Sequence, residues 1–222
     1  CTAGRRSAVN KKKRINPFAI AGAALLLAAL LLWVYNFIQA SRAGEEAQDV
    51  LGDVKQVMAS TLRPTAPPAP QPEDTAEAAT EPETSEPPSE MPTVTVGYND
   101  YIGYLHIPSQ ELELPVMSDW SYDKLNVAPC RQFGSYYTDD LVIAAHNFYS
   151  HFGKLKNLSP GDTVTFTDVT GTDHNYTVAS VQTLPPDAVD AVQYSGHALT
   201  LYTCTPGGAT RVTVFCDRTE TK

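Results

Sequence analysis

The chain has 222 residues, 42% of them hydrophobic, and a formal net charge of −9 at pH 7. This length is compatible with one or two domains. Residues 91–222 carry fourteen acidic and seven basic side chains, which argues against nucleic acid as a partner, because phosphate binding needs a basic face.

The first 42 residues combine a basic tip with a long apolar run. They contain seven Lys or Arg and no acidic residue. Residues 17–38 are uncharged and almost wholly apolar, long enough to cross a membrane as one helix. More basic residues precede this run than follow it, which places residues 1–16 in the cytoplasm. We therefore predict a single-pass anchor with the rest of the chain outside the cell.

A cleaved signal peptide is the alternative interpretation of the apolar run. The run exceeds the usual length of a signal-peptide core, and residues 39–43 offer only a weak cleavage site. The uncleaved anchor is therefore the favoured interpretation. The chain begins with Cys1 and not with Met, which leaves its natural start open.

Two segments separate the anchor from the folded domain. Residues 39–60 have apolar residues at helical spacing, which predicts either an extension of the membrane helix or a separate amphipathic helix. These residues are Val50, Leu51, Val54, Val57 and Met58. Residues 61–93 contain nine of the 17 prolines, mixed with Glu, Thr, Ala and Ser. This composition predicts an extended stalk that holds the next domain away from the membrane.

The folded domain is predicted to span residues 94–218, followed by a tail at 219–222. Its length suffices for one hydrophobic core. Short β-rich runs alternate with Pro, Gly, Ser and Asp turn signals. The predicted strands are 101–107, 111–116, 141–145, 163–167, 174–183, 199–204 and 211–216. A short helix is expected after His151. Seven or eight strands with little helix predict a mainly β fold, either a closed barrel or a sandwich.

The last two predicted strands flank a turn that begins at Cys204 and ends at Arg211. If these two residues are opposite each other in an antiparallel pair, they share a face with Tyr202. Cys216 then lies on the other, aliphatic face. The pattern predicts that Cys204 lines a groove and that Cys216 lies in the core. An ordinary hairpin with a buried Cys and a surface Arg is the alternative.

His146 follows the apolar strand 141–145 and precedes a polar loop. With Cys204 and Arg211 it completes a set of nucleophile, acid–base group and oxyanion partner. Each of the other histidines is expected to be structural. They are His106, His151, His174 and His197.

Together these features resemble the sortases, the membrane-anchored cysteine transpeptidases of Gram-positive bacteria. The matching motifs are Tyr104–Pro108, Leu114–Val116, Ala144–Asn147, His151–Leu158, Gly161-Asp162, Leu199–Cys204 and Arg211–Val214. The resemblance covers residues 98–218 and implies an eight-stranded β-barrel with short helices. It implies His146, Cys204 and Arg211 as catalytic residues. Tyr202 and Thr203, which precede the nucleophile, are expected to bind substrate.

The resemblance also implies a reaction and its partners. Cys204 attacks an LPxTG-like sorting signal of a surface protein, and the thioester is transferred to an amine of a cell-wall precursor or a pilin. No cofactor or metal is expected. The single anchor and the short spacing from Cys204 to Arg211 favour a class B- or D-like subgroup. Ser118-Asp119-Trp120 lies after the second predicted strand, where a lid motif is not expected. A thiol hydrolase or protease on the same fold and a non-catalytic binding module are the alternatives.

Cys130 and Cys216 leave two alternatives open. An extracellular domain can keep a disulfide between them, or both can be free buried thiols. A zinc site built from these two residues with His146 and Cys204 is disfavoured, because the chain lacks closely paired ligands.

Overall fold

The computed structural model describes residues 17–61 and 90–219. The predicted cytoplasmic tip and most of the Pro-rich segment lie outside the described residues, as does most of the short tail. The chain divides into two compact units, with the boundary between Gln39 and Ala40.

The first unit holds the beginning of a single long helix, α1 (Pro17–Thr61). Its large apolar side chains are exposed from Phe18 to Ile38. Exposed apolar surface of this extent is unfavourable in water and favourable in lipid. Mean hydropathy reaches 2.1 within α1, so this helix is long and apolar enough to serve as a membrane anchor.

The rest of α1 belongs to the second unit. One face is buried there, at residues spaced three or four apart as helical geometry requires. The buried residues are Ala43, Ala47, Leu51, Val54 and Met58. Residues 39–60 therefore continue the first helix without a break, which was one of the two predicted possibilities.

The described residues on the two sides of the Pro-rich segment pack together. Val54 and Met58, before it, share a hydrophobic cluster with Val94, after it. Both flanks are therefore parts of the same unit. Most of the predicted stalk, residues 61–93, lies outside the described residues.

The second unit is mainly β, and it contains the predicted eight-stranded barrel. The strands are β1 (Val94–Val96), β2 (Asn99–Ile107), β3 (Leu112–Met117), β4 (Cys130–Phe133), β5 (Leu141–Ala144), β6 (Thr163–Asp168), β7 (Asp173–Leu184), β8 (Leu199–Cys204) and β9 (Arg211–Arg218). Their order is β2-β3-β4-β5-β8-β9-β7-β6, and β6 pairs with β2 to close the barrel. β1 adds to one end of β2. The pairs β3–β4 and β5–β8 are parallel, and the other pairs are antiparallel.

Short helices connect these strands. The 3-10 helices are Pro108–Gln110 and Phe152–Asn157, and the α-helices are α2 (Tyr122–Leu125) and α3 (Val189–Gln193). The helix predicted after His151 is therefore present in 3-10 form. Two of the strands, β1 and β4, were not predicted. They have only three and four residues, which is too short to show a clear alternation of apolar and polar side chains.

The barrel wall is buried on both faces around β5. Leu141 and Ile143 belong to the interior cluster, whereas Ala144 belongs to a second cluster that includes Val54 of α1. Successive strand residues point to opposite faces, so a strand covered on both sides is apolar throughout. This explains the uninterrupted apolar run that precedes His146.

Candidate active site

The hairpin of β8 and β9 has the predicted register. Leu199 is opposite Cys216, and the pairing continues residue by residue until Cys204 is opposite Arg211. The connecting turn is closed by backbone hydrogen bonds from Thr205 to Thr210 at 3.0 Å and from Gly208 to Thr205 at 2.8 Å. Residues that are directly opposite in an antiparallel pair bring their side chains together. The thiol and the guanidinium are therefore neighbours at one end of the barrel.

The two faces of this hairpin separate two cysteines, as predicted. Cys216 is fully buried in the interior cluster with Leu201 and Val214. Cys204 is half-buried on the opposite face with Tyr202. The groove face is shorter than expected, however, because Thr200, Thr213 and Phe215 are also buried. Only the end of the hairpin next to the turn is open.

The neighbouring strand brings His146 to the same end. β5 and β8 are parallel, with Ala144 opposite Tyr202. Beyond that pair, the Ala145 N–H donates to the Tyr202 carbonyl at 3.3 Å. His146 follows β5 two residues after Ala144, and Cys204 ends β8 two residues after Tyr202. The parallel pairing of β5 and β8 therefore places these two residues, which are 58 positions apart in the sequence, at the same end of the barrel.

Thr203, which was expected to bind substrate, has a buried side chain. Its side chain faces the interior and is 3% exposed. Its hydroxyl donates to the Ala145 carbonyl at 2.8 Å. The alternation along β8 makes this outcome necessary, because Thr203 lies between two residues that face the groove. Thr203 therefore fixes the start of the loop that carries His146.

Arg211 is half-buried and is held by its own turn. Its Nη1 donates to the carbonyls of Gly208 at 2.9 Å and Thr210 at 3.1 Å. Within residues 17–61 and 90–219, its Nε and Nη2 make no hydrogen bond. The guanidinium is thus fixed by one nitrogen while other donors stay available for an anionic ligand.

A groove of about 210 Å³ begins at Arg211 and Tyr202. Its remaining lining is mostly apolar or aromatic. It comes from the start of α2 and the segment before it, from β4, and from α3 and the segment between β7 and α3. These residues are Trp120, Tyr122, Gln132, Phe133, Pro185, Pro186, Ala188, Val189 and Val192. The groove therefore provides an apolar surface, next to the guanidinium, on which an extended peptide could bind.

Most of these lining residues were missed by sequence reasoning. Trp120 was considered only as part of a lid motif, and Pro185-Pro186 only as a break between strands. The available signal was the presence of aromatic residues in a polar connection, which is typical of binding surfaces. Their convergence on Arg211 could not be read from the sequence, because they come from three parts of the chain that are distant from one another.

Burial shapes the titration of the groups around Cys204. It lowers the pKa of the half-buried His146 below its usual 6.5. It raises the pKa of Tyr202 to about 12, although the nearby Arg211 charge acts in the opposite direction. The His146 ring packs 5.0 Å from the Phe148 ring. Its imidazole makes no hydrogen bond to any residue in the described part of the chain, so both ring nitrogens are available for proton transfer.

Cys130 and Cys216 are free thiols in the structure, so the alternative of a disulfide between them does not hold. Cys130 is opposite Ala144 and lies in the cluster outside the barrel wall, whereas Cys216 faces the interior. A disulfide requires side chains that point toward each other. Burial raises the pKa of each of these thiols to about 12, so both remain protonated at neutral pH.

The other histidines lie elsewhere in the fold. His174 Nε2 is 2.9 Å from Asp168, and His197 Nδ1 is 2.6 Å from Asp217. His106 is exposed on β2, and His151 is fully buried. Within the described ranges no group of three or more His, Cys, Asp or Glu is arranged to hold a metal ion.

A family model described as a sortase domain matches residues 105–219, slightly more than half of the chain. No curated protein matches the chain.

Solved structures with a similar fold include three sortases. Sortase A from Corynebacterium diphtheriae, a lid mutant, is 19% identical, with a TM-score of 0.49, over 57% of this chain and 74% of that one. Sortase C1 from Streptococcus agalactiae is 24% identical, with a TM-score of 0.46, over 55% of this chain and 69% of that one. A Clostridium perfringens sortase D5 transpeptidase is 19% identical, with a TM-score of 0.48, over 55% of this chain and 81% of that one.

Proposed function

The chain belongs to the sortase family, and from that premise we propose that it is a membrane-anchored transpeptidase with Cys204 as its nucleophile. His146 is the acid–base residue, and Arg211 stabilises the oxyanion. The observation that carries the proposal is the cross-strand pair of Cys204 and Arg211, next to the strand that ends at His146.

Cys204 begins the reaction as a thiolate. Its sulfur attacks the carbonyl carbon of the Thr in an LPxTG-like sorting signal, which forms a C–S bond and a tetrahedral oxyanion. The C–N bond of the signal then breaks and leaves a thioester on Cys204. Of the three cysteines in the described part of the chain, Cys204 is the one that is not fully buried.

His146 moves the protons in both halves of the reaction. As an imidazolium it protonates the departing amine, and as a neutral imidazole it takes a proton from the incoming amine. Burial lowers the pKa of His146, which makes its imidazolium a stronger acid. An incoming amine resolves the thioester and regenerates the thiolate.

Arg211 stabilises the negative charge that develops on the carbonyl oxygen. It remains protonated at any physiological pH and therefore cannot be the base. Its turn carbonyls fix Nη1, and Nε and Nη2, which bind no residue in the described ranges, supply preorganised donors.

The groove next to Arg211 binds the sorting signal. Its lining of Trp120, Phe133 and Pro185 suits the apolar Leu and Pro at the start of an LPxTG-like sequence. Tyr202 contributes to the same lining. The amine acceptor is a peptidoglycan precursor or a pilin, and the class B- or D-like subgroup remains a prediction from the sequence.

The proposed setting is the surface of a Gram-positive cell. α1 anchors the chain, with residues 1–16 in the cytoplasm and the barrel outside, as the excess of basic residues before the apolar run predicts. There an exported protein and a lipid-linked acceptor are both within reach of the enzyme.

The proposal is tested with the full chain in nanodiscs and a library of LPxTG-like peptides, with and without triglycine as acceptor. We expect an amide product with triglycine, and Cys204→Ala should lower its rate by about a thousandfold or more. The matched control is Cys216→Ala, which removes a thiol from the other face of the same hairpin and should leave most of the activity.

The products discriminate between the alternatives. A thioester adduct on Cys204, found by mass spectrometry, supports the mechanism. Free acid as the sole product at every triglycine concentration identifies a thiol hydrolase. Retention of full transfer by Cys204→Ala contradicts the assignment of the nucleophile, and a wild-type chain that processes no peptide of the library favours a binding module.

A further inference from the structure

The loop that carries His146 is closed by its own backbone. We call residues 145–151 the His146 loop. Phe152 N–H donates to the His146 carbonyl at 3.1 Å. The N–H groups of His151 and Gly153 donate to the Phe148 carbonyl at 3.0 and 2.9 Å. A movement of one end of this loop is therefore transmitted to the other.

His151, at the end of the His146 loop, is fully buried against α1. Its Nε2 is 3.3 Å from the carbonyl oxygen of Ala43. A carbonyl oxygen can only accept, so this nitrogen carries the hydrogen and donates it. The neutral ring then has a bare Nδ1, which is buried without a partner among the described residues. α1 faces the ring with the Ala43 carbonyl, and the titratable group that acts on it is His146 of the same loop.

A buried nitrogen without a hydrogen bond destabilises the folded state. Leaving such a polar atom without a hydrogen bond costs free energy that an apolar side chain would not cost. Phe or Leu would fill the same volume without this cost. What His151 adds is the directed hydrogen bond to Ala43, which a purely apolar side chain cannot make.

A second contact joins the loop to the same turn of α1. The Ser150 hydroxyl donates to the Ala40 carbonyl at 3.3 Å. Gly44 lies against Ser150 so closely that a Cβ there would be 2.7 Å from the Ser150 Cβ. Consecutive loop residues thus bind carbonyls three residues apart on the helix, and the glycine permits the close approach.

Aromatic rings connect His151 to His146. The Phe148 ring is 5.6 Å from the His151 ring and 5.0 Å from the His146 ring. On the basis of the proposed function, we propose that His151 is a positioning residue for catalysis. Its hydrogen bond to α1 holds the His146 loop and, through Phe148, the His146 imidazole beside Cys204.

Four variants of the full chain in nanodiscs test this role. His151→Phe keeps a ring but removes the donor, and His151→Gln keeps an N–H donor close to Nε2. Gly44→Ala disturbs the same contact from the helix side. Gly52→Ala is the matched control, since a Cβ at Gly52 meets nothing within 4 Å.

We expect kcat for amide formation to fall about tenfold or more in His151→Phe and Gly44→Ala, with KM for the peptide changed less than twofold. His151→Gln should recover most of the loss, and Gly52→Ala should match wild type. A displaced loop exposes His146, so an NMR titration should find the pKa of His146 moved up toward 6.5 in His151→Phe.

Two outcomes overturn the inference. In one, His151→Phe and Gly44→Ala retain wild-type kcat per folded molecule and an unchanged His146 titration, even if their melting temperature falls. In the other, kcat falls as much in His151→Gln as in His151→Phe. The imidazole ring of His151, and not its N–H donor, would then be the important feature.

A failure of the proposed function is recognised separately. If the wild-type chain transfers no peptide to any amine, the transpeptidase assignment fails. The His146 titration then decides the positioning role alone, because it needs no substrate: an upward shift in His151→Phe supports the role, and an unchanged titration refutes it.

Discussion

His146 and His151 are five residues apart and are affected differently by the same fold. Burial lowers the pKa of both imidazoles, but His146 is only half-buried, whereas His151 is fully enclosed and its pKa falls to about 4. The carbonyl of Ala43 and the charge of His146 act on His151 as smaller, opposing influences. The His146 ring is therefore partly open to solvent, and His151 stays neutral at neutral pH and serves as a hydrogen-bond donor.

This difference predicts how stability depends on pH. Between pH 6.5 and about 4 the unfolded chain protonates His151 and the folded chain does not, so the unfolded state binds more protons. The contribution of His151 is therefore complete above pH 6.5 and is lost as the pH falls. We expect it to lower the free energy of unfolding by about 3 kcal/mol by pH 4.

Denaturant unfolding of the full chain in detergent, measured from pH 7 to pH 4, checks this expectation. His151→Phe should show a shallower decline than wild type, because the variant has no imidazole to protonate at that position. Parallel curves for the two proteins would mean that His151 is not held neutral by the fold.

At the scale of elements, β2 is the strand that closes the barrel. Its residues 99–101 pair with β1, its residues 103–106 pair with β6 on the same edge, and β3 pairs with its other edge. The register with β3 shifts between Tyr101 and Gly103, and Gly103 has a φ of 147°. A Cβ at Gly103 would lie 2.0 Å from the Thr167 carbonyl oxygen. A glycine is needed there for the first and last strands of the barrel to meet.

Gly103→Ala should therefore lower the free energy of unfolding by about 3 kcal/mol or more, because both the backbone angle and the contact with β6 oppose a methyl group. Gly97→Ala is the matched control: its φ is also positive, at 62°, but nothing lies within 4 Å of its Cβ. We expect a loss of about 1 kcal/mol there. Equal losses in chemical denaturation would contradict the role assigned to the close approach.

At the scale of the whole molecule, the second unit is larger than the barrel. Residues 40–61 of α1 contribute Leu51, Val54 and Met58 to its buried surface. They also contact the His146 loop through the carbonyls of Ala40 and Ala43. This part of α1 therefore supports both the stability of the unit and the site proposed on it.

A chain that begins at residue 90 should consequently be much less stable than one that begins at residue 40. The loss of Leu51, Val54 and Met58, the three largest of the five buried apolar side chains of α1, predicts a decrease of roughly 4 kcal/mol in the free energy of unfolding. Calorimetry and denaturant titration of the two chains give the comparison. Equal stability would show that the helix packs on the barrel without contributing to it.

Local patterns explain how much of the fold and site the sequence could predict. The alternation of residues in 199–216 was sufficient for the register of the β8–β9 hairpin, since a hairpin forms between segments close in sequence. The same alternation separated Cys204 from Cys216. It also places the side chain of Thr203, which was expected to bind substrate, on the interior face.

By itself, the sequence determined the apolar helix, the mainly β fold and the hairpin, because each of these depends on composition or on spacing between nearby residues. Its motifs also carried the resemblance to the sortases. Only the tertiary structure decided that residues 40–61 pack on the barrel, that Trp120 and Pro185 line one groove, and that His151 binds α1. These features depend on side chains that are distant in sequence and meet only when strands and helix pack together. The physical reason is that burial and hydrogen bonding between distant residues are properties of the assembled fold. The hydrophobic periodicity of a single helix or strand does not encode them.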